Sequence, residues 1–86
     1  MYSIEFRKAA LRTLRKLNPE VQQRLRGAIA LLAVDPRPPG ARKLTGRDAW
    51  RLRIGDYRLI YTIEDARLLI VVVTMGHRSS VYRKQD

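Results

Sequence analysis

The sequence predicts an α+β fold: a small antiparallel sheet in β-α-α-β-β-β order, with an N-terminal helical hairpin packed on one face. Three observations lead to this prediction. Apolar residues recur at helical spacing over residues 7–34, they alternate with polar residues over 50–61, and they run almost unbroken over 68–75. Because a sheet must bury its apolar face, the amphipathic helices are the natural cover.

The length and composition predict one domain spanning residues 1–86. A chain of 86 residues is too short for two cores, and 45% apolar residues are typical of a globular protein. The sequence has no apolar run long enough to span a membrane, and its N-terminus lacks a signal-peptide core. It also has no cysteine, which excludes disulfides and thiolate metal sites. We therefore expect a cytoplasmic protein with no membrane association.

The N-terminal third contains the first strand and both helices. Alternate residues at the start are apolar and predict a short strand: Tyr2, Ile4 and Phe6. The first helix is predicted from Arg7 or Lys8 to Leu17. Pro19 suits the first position of a helix, so the second helix begins there and ends near Val34, before an Asp-Pro pair.

Residues 35–48 are predicted to form a loop, because they hold three prolines and two glycines. The loop is basic, with Arg42, Lys43 and Arg47 in its second half. Leu44 is the apolar residue expected to anchor it to the core.

The stretch from Trp50 to Tyr61 predicts a β-hairpin turning at Gly55-Asp56. A two-residue turn pairs apolar residues across the strands and places Arg53 directly opposite Arg58, with Arg51 two residues along. Like charges that oppose each other destabilise a sheet. Two interpretations remain open at this stage: the arginines are solvated and spread apart, or they converge on an anion such as phosphate.

The last long strand is predicted over Leu68 to Met75, where apolar residues on both faces indicate a central, covered position. Gly76 is expected to end it. A short basic tail from His77 to Arg83 follows, and it can return to the arginine face of the hairpin.

The net charge of +10 indicates a nucleic acid or an acidic partner, and 14 of the 18 basic residues are arginine. A generic basic surface from an arginine-rich proteome is the alternative. The sequence has no paired carboxylates, no metal-ligand cluster and no glycine-rich phosphate loop. Six residues remain as candidates for chemistry: Arg51, Arg53, Arg58, His77, Arg78 and Tyr82.

These six residues suit metal-free cleavage of RNA. The arginines would stabilise negative charge on the scissile phosphate, and the ribose 2′-hydroxyl is a built-in nucleophile. His77 is the natural proton carrier by pKa, or else a surface histidine. Tyr82 would stack on a base, or else cap the core. Trp50 is assigned to the core rather than to RNA.

Three segments together resemble the RelE/ParE superfamily, the toxins of type II toxin–antitoxin pairs: WRLRIGDYRLIYTI, LLIVVVTM and GHRSSVYR. The resemblance to the RelE branch implies a ribosome-dependent endoribonuclease, without cofactor or metal, that cuts mRNA in the ribosomal A site. The implied products are a 2′,3′-cyclic phosphate and a 5′-hydroxyl. The alternatives are a ParE-type inhibitor of DNA gyrase on the same fold, and a non-catalytic relic that binds RNA or antitoxin.

The residue assignments that the resemblance implies favour the RelE branch. The two basic residues of its second strand fall on Arg51 and Arg53, and its later functional positions fall on Arg58, Arg78 and Tyr82. RelE itself carries lysines at the first two positions, whereas arginine is a poor proton acceptor. Either the arginines act through charge alone, or His77 takes the proton.

The resemblance also implies partners. A cognate antitoxin would wrap the toxin with a helix and a strand, forming a hetero-oligomer, and the apolar stripe Leu69, Val71 and Val73 is expected to lie under it. The ribosome and mRNA would be the target, with contacts to 16S rRNA. The residues expected to bind RNA outside the catalytic set are Arg42, Lys43, Arg47 and Arg83.

Overall fold

A computed structural model describes residues 1–77 of the chain. Two helices and five strands follow one another in this order: β1 (Ser3–Phe6), α1 (Lys8–Lys16), α2 (Pro19–Leu32), β2 (Arg42–Lys43), β3 (Trp50–Ile54), β4 (Tyr57–Glu64) and β5 (Leu69–His77). A turn of 3₁₀ helix, Asp65–Arg67, joins β4 to β5. Apart from β2, every element was predicted, most within two residues of its observed ends.

The sheet has the order β1-β5-β4-β3-β2, and it is mixed rather than fully antiparallel. β1 runs parallel to β5, with Ile4 beside Ile70, while all other pairs are antiparallel. The α+β class is confirmed, but the direction of β1 was predicted wrongly. An alternating pattern shows which face of a strand is buried, and it carries no information on the direction of the neighbouring strand.

The helical hairpin forms as predicted. The Asn18 side chain accepts a hydrogen bond from the backbone N–H of Glu20 at 2.8 Å, and Pro19 occupies the first turn of α2. Gln22 donates to the carbonyl of Leu17 at 2.8 Å, which ties the two helices at their junction. Within residues 1–77, neither helix is long and apolar enough to cross a membrane.

The main core lies between the helices and one face of the sheet. Leu59 and Tyr61 are fully buried there, on the face predicted to be covered. The other buried members come from both helices and from β5: Ala10, Leu14, Leu25, Ile29, Leu32, Ile70, Val72 and Met75. Trp50 is half-buried against this core, as its assignment required. The opposite face of the sheet is thus free of helices.

Leu44 does not anchor the loop to this core. It packs with Ala49 and Ile60 in a second, small cluster, and its N–H donates to the Ala49 carbonyl at 2.9 Å. Ile60 pairs with Arg51 and so points to the face without helices. The loop is therefore folded over the reverse of the sheet, where a two-residue strand too short to be recognised by periodicity adds to its edge.

β5 continues through Gly76 and ends at His77, whereas the sequence predicted a break at the glycine. Gly76 pairs with Arg58 on β4, so the ladder of backbone hydrogen bonds holds the extended conformation despite the glycine. At the other end Leu68 precedes the strand, in the left-handed conformation with φ of 50°.

Candidate functional site: an arginine cleft

The β3–β4 hairpin has the register predicted from the sequence. Ile54 pairs with Tyr57, Leu52 with Leu59 and Trp50 with Tyr61, while Gly55 adopts φ of +60° in the turn. Arg53 therefore lies directly opposite Arg58 on the face without helices. Arg51 lies on the same face, two residues along β3.

β2 brings a fourth arginine to this face, because Arg42 pairs with Arg51 across the β2–β3 ladder. A cleft of about 680 Å³ opens between these side chains. It is lined by Gly40, Arg42, Arg51, Arg53, Gly55 and Arg58, and we call it the arginine cleft. Among residues 1–77 no carboxylate lines this cleft. The loop therefore contributes directly to the site, since Gly40 and Arg42 both belong to it.

The four arginines differ in burial. Arg58 is only 8% exposed, Arg51 is half-buried, and Arg42 and Arg53 are exposed. Arg58 therefore does not fit the interpretation of solvated arginines that spread apart. β4 is a central strand with neighbours on both sides, so Arg58 lies between Arg53 of β3 and Gly76 of β5. Charge at the floor of the cleft is less screened by water than charge at its rim.

Two pairs of like charges oppose each other here, Arg42 with Arg51 and Arg53 with Arg58. Like charges that oppose each other are unfavourable in a sheet, and an oxyanion attracts both members of such a pair. Arg53 also donates from Nε to the carbonyl of Gly55 at 3.5 Å, which inclines it towards the turn. The convergence of four arginines on one cleft favours the second interpretation of the hairpin, an anion site, over arginines that spread apart.

His77 lies outside the arginine cleft. It pairs with Tyr57, whose side chain packs against the helix-side core, so both residues belong to the opposite face. The two rings meet edge to face with centroids 5.8 Å apart. Successive residues of a strand point to opposite faces of the sheet. Because β5 continues through Gly76 to His77, Gly76 lies on the face of the arginine cleft and His77 lies on the helix side. The structure therefore does not bring this candidate proton carrier to the arginines.

The remaining candidates are more scattered. Lys43 pairs with Trp50 and so belongs to the helix-side face, where its Nζ lies 3.6 Å from an Asp48 oxygen. Arg47 is exposed in the turn that follows. Arg78, Tyr82 and Arg83 lie outside the described residues.

Sequence reasoning missed the contacts that hold the basic loop in place. The buried Tyr61 hydroxyl donates to the carbonyl of Pro36 at 2.7 Å. Arg37 forms an ion pair with Asp65 at 2.9 Å, and its guanidinium lies 5.5 Å from the centre of the Trp50 ring. Tyr2 donates to the same carboxylate. These contacts join four distant parts of the chain, so local sequence patterns do not show them.

The contacts that anchor the loop also shift the pKa values of Asp65 and Tyr61. Hydrogen bonds from Arg37, and then from Tyr2, hold the pKa of Asp65 below its usual value. Burial raises the pKa of Tyr61 to about 12. Both shifts widen the pH range over which the carboxylate is charged and the phenol is protonated, the forms that anchor the loop.

The described part of the arginine cleft is equipped to bind and stabilise negative charge. A guanidinium group offers a planar fork of hydrogen-bond donors and no acceptor, so the arginines that line the cleft supply donors to an oxyanion. Within residues 1–77, no group of three or more His, Asp or Glu side chains is arranged to hold a metal ion. The cleft favours chemistry in which a phosphate gains charge in the transition state.

Comparison with known proteins identifies the family of this chain. A family model for the ParE toxin of type II toxin–antitoxin systems matches residues 4–82. The chain belongs to this family. Among curated relatives, the mRNA interferase toxin RelE of Escherichia coli K12 is 34% identical over 86 residues, covering 94% of this chain and 90% of the relative. The relative thus places the chain on the RelE side of the RelE/ParE toxins.

Solved structures agree with this placement. The isolated E. coli RelE toxin superposes with a TM-score of 0.79 at 29% identity, over 99% of this chain and 95% of that one. The toxin in the intact E. coli RelBE toxin–antitoxin complex gives a TM-score of 0.77 at 29% identity, over 90% and 96%. The shared fold includes the helical hairpin on one face of the sheet.

Proposed function

We propose that this protein is the toxin of a type II toxin–antitoxin pair and acts as an endoribonuclease on mRNA in the ribosomal A site. The observation that carries the proposal is the arginine cleft. Four guanidinium groups converge on one open face with no described carboxylate among them, an arrangement suited to an RNA phosphate. The similar RelE of E. coli, named an mRNA interferase, supports the same reaction.

The reaction is an internal transfer at phosphorus that requires no metal. The ribose O2′ attacks the adjacent phosphorus, the O2′–P bond forms, and the P–O5′ bond breaks. The hydroxyl proton leaves to solvent, and the departing O5′ gains a proton from solvent. The products are a 2′,3′-cyclic phosphate and a 5′-hydroxyl, without an external nucleophile.

The arginines contribute charge to this step. Arg58, at the buried floor, stabilises the extra negative charge that develops on the phosphate oxygens. Arg51 and Arg53 hold the same phosphate from the β3 side, and Arg42 binds the RNA backbone at the rim. By the resemblance of the GHRSSVYR segment, Arg78 and Tyr82 complete the site, while Lys43, Arg47 and Arg83 remain proposed RNA contacts.

We also propose a cognate antitoxin as the partner that holds the toxin inactive in the cytoplasm. The similar E. coli RelE is found in complex with its antitoxin. A groove of about 680 Å³ crosses the edge of the β1–β5 pair, and its lining includes the half-buried Val71 and Val73. These valines, with Leu69, form the apolar stripe assigned to the antitoxin. An antitoxin shortened to lack its wrapping segment should bind less tightly, and an unchanged affinity would contradict the assignment.

A gyrase-directed activity is the second candidate, because the matching family is described by its ParE toxin. A gyrase inhibitor has no need of converging arginines that line an open cleft. The two candidates therefore differ in one measurable respect: only the endoribonuclease depends on the arginine cleft for its chemistry.

Primer extension on a defined mRNA tests the proposal, with purified toxin and with or without programmed ribosomes. Cuts inside the A-site codon that require ribosomes, and that disappear in Arg53→Gln but persist in Arg67→Gln, are the expected result. Arg67 is an exposed arginine outside the cleft, ion-paired with Glu64 at 3.2 Å. A toxin that arrests growth, cuts no mRNA and inhibits DNA supercoiling would establish the gyrase candidate instead.

A further inference from the structure

Arg37 belongs to the same loop as Arg42, but it does not line the arginine cleft. Its guanidinium donates to both oxygens of Asp65, at 3.3 and 2.9 Å, and lies 5.5 Å from the centre of the Trp50 ring. Tyr2 donates to the same carboxylate. We call the group formed by Tyr2, Arg37, Trp50 and Asp65 the Arg37 anchor.

The segment over residues 37–42 is short and stiff. Pro38 and Pro39 each have a fixed φ. The N–H of Ala41 donates to the carbonyl of Pro38 at 3.0 Å, which closes a β-turn. Gly40 has φ of +101°, as the third position of a type II turn requires. Because such a segment has few alternative conformations, the position of its first residue largely determines the position of its last.

The far end of this segment is held weakly by its own contacts. β2 has only two residues, both exposed, and Arg42 stands opposite Arg51, which carries a like charge. Beyond β2, the N–H of Leu44 donates to the carbonyl of Ala49 at 2.9 Å. Arg42 is therefore held after β2 by Leu44, and before β2 by the attachment at Arg37.

Trp50 connects the Arg37 anchor with the arginine cleft. It pairs with Lys43 of β2, and the next residue of β3, Arg51, pairs with Arg42. Because successive strand residues point to opposite faces, the Trp50 ring lies on the helix side, under Arg37, while Arg51 lies in the cleft. The anchor and the cleft thus use neighbouring residues of one strand, so a change at the anchor alters the support of Arg42.

The ion pair of Arg37 with Asp65 is better suited to fix a position than to stabilise the fold. The two side chains are 44% and 56% exposed. Ion pairs at such exposure contribute little to folding, because water screens the charges and ordering two side chains costs entropy. The geometry is nevertheless specific, since the guanidinium fork meets both carboxylate oxygens and Tyr2 adds a third hydrogen bond.

We propose that Asp65 and Arg37 are positioning residues for Arg42: their ion pair fixes the loop so that Arg42 stands at the rim of the arginine cleft and contacts the RNA backbone. The inference rests on the proposed function and adds to it two residues that touch no RNA themselves. It also divides the arginines of the loop by role. The charge of Arg37 is met by a carboxylate, whereas Arg42 lines a cleft without a described carboxylate.

The test compares Asp65→Asn with Glu64→Gln as the matched control. Glu64 precedes Asp65 and forms its ion pair with Arg67 at 3.2 Å rather than with the loop, so both substitutions make the same change in net charge. Removing a negative charge from a protein of charge +10 should by itself strengthen RNA binding. We therefore expect opposite signs. Glu64→Gln should bind RNA at least as tightly as the wild type, whereas Asp65→Asn should bind it about fivefold more weakly at 0.1 M salt, the loss of one phosphate contact.

The probe is a short single-stranded RNA in which 2′-O-methyl groups replace the 2′-hydroxyls, so that it binds without being cut. Its affinity is measured over a range of salt for Asp65→Asn, Arg42→Gln and the double variant. Each single substitution should lower the slope of log affinity against log salt by about 0.7. If Asp65 acts through Arg42, the double variant should bind no more weakly than Arg42→Gln alone. Additive losses would overturn the inference, as would equal binding by Asp65→Asn and Glu64→Gln.

Trp50, the single tryptophan of the chain, reports on the anchor independently of RNA. Its fluorescence emission should change in Asp65→Asn, because Arg37 is released from the ring, and should stay unchanged in Glu64→Gln. Circular dichroism at the assay temperature should show both variants folded. A loss of binding that only follows a loss of folded protein would overturn the positioning role.

Failure of this inference differs measurably from failure of the proposed function. Ribosome-dependent cuts by a wild-type toxin whose RNA affinity does not depend on Asp65 would overturn the inference and leave the function standing. RNA binding that depends on Asp65 through Arg42, in a wild-type toxin that makes no cuts, would do the reverse. A wild-type toxin that does not bind the probe would overturn the inference as well, because Arg42 would then have no RNA contact to lose.

Discussion

At the scale of single residues, Arg53 and Arg58 differ in burial, although the sequence predicts both on the same face of the hairpin. Arg53 is exposed at the rim of the arginine cleft, whereas Arg58 is 8% exposed on a central strand. Both lie on the face without helices, and only Arg53 is open to solvent. Substitution at the rim should therefore affect chemistry alone, while substitution at the floor should also disturb packing.

Arg53→Gln should reduce cleavage of ribosome-bound mRNA by about 100- to 1,000-fold, the usual effect of removing one charge-stabilising donor. The melting temperature should stay close to that of the wild type, because the side chain is exposed. Arg58→Gln should lose as much activity and also melt at a lower temperature. Equal melting temperatures for the two variants would contradict the difference in burial.

Leu59→Ala should lower the free energy of unfolding by about 2–5 kcal/mol, because Leu59 is fully buried among core side chains and its removal leaves a cavity. Leu31→Ala is the matched control, since Leu31 is 70% exposed and its loss should change stability by less than about 0.5 kcal/mol. Urea denaturation followed by circular dichroism measures both.

At the scale of elements, strand length and loop anchoring decide what reaches the cleft. The continuation of β5 through Gly76 leaves His77 on the helix side of the sheet. The loop after α2 is held to the sheet by Tyr61 and by the Arg37–Asp65 pair, and it carries Arg42 into the cleft. The loop is thus part of the site, not a passive connection.

Tyr61→Phe should destabilise the protein by about 1–3 kcal/mol, because the Pro36 carbonyl loses its buried donor. The effect should depend on pH. Since the folded pKa of Tyr61 is raised to about 12 from a usual value of 10, its contribution is complete below pH 10 and is lost as pH rises towards 12. Unfolding of both proteins from pH 8 to about 11.5 should show the difference shrinking. A constant difference would mean that the phenol is not the cause.

At the scale of the whole molecule, the net charge is +10, and four of the basic residues converge on the arginine cleft. Self-repulsion of this kind lowers the stability of a compact state and is relieved by screening or by bound anions. The effect of this charge on the stability of the protein should therefore be measurable in the absence of RNA.

The melting temperature should rise when NaCl is increased from about 0.05 M to about 0.5 M, because salt screens like charges. Sulfate at equal ionic strength should raise it further by occupying the arginine cleft. This additional rise should disappear in Arg53→Gln and persist in Arg67→Gln. An identical response of wild type and Arg53→Gln to sulfate would argue against an anion site in the cleft.

The sequence by itself determined the helical hairpin, the β3–β4 register and the buried face of that hairpin. Each depends on local chemistry: Pro19 after a capping Asn18, a glycine with positive φ in the turn, and alternation that permits one register. The same alternation placed Arg51, Arg53 and Arg58 on one face. These features were predictable because they involve residues close together in the chain.

Only the tertiary structure decided the rest. The parallel pairing of β1 and the contact of Tyr61 with Pro36 join residues that are distant in sequence. The β2 strand, which carries Arg42, has only two residues, so no periodic pattern shows it. The burial of Arg58 and the position of His77 on the helix side depend on the pairing of β5 with β4 and on the residue at which β5 ends. Local patterns show which way a side chain points from its own strand. Its neighbours are set by the packing of the complete sheet.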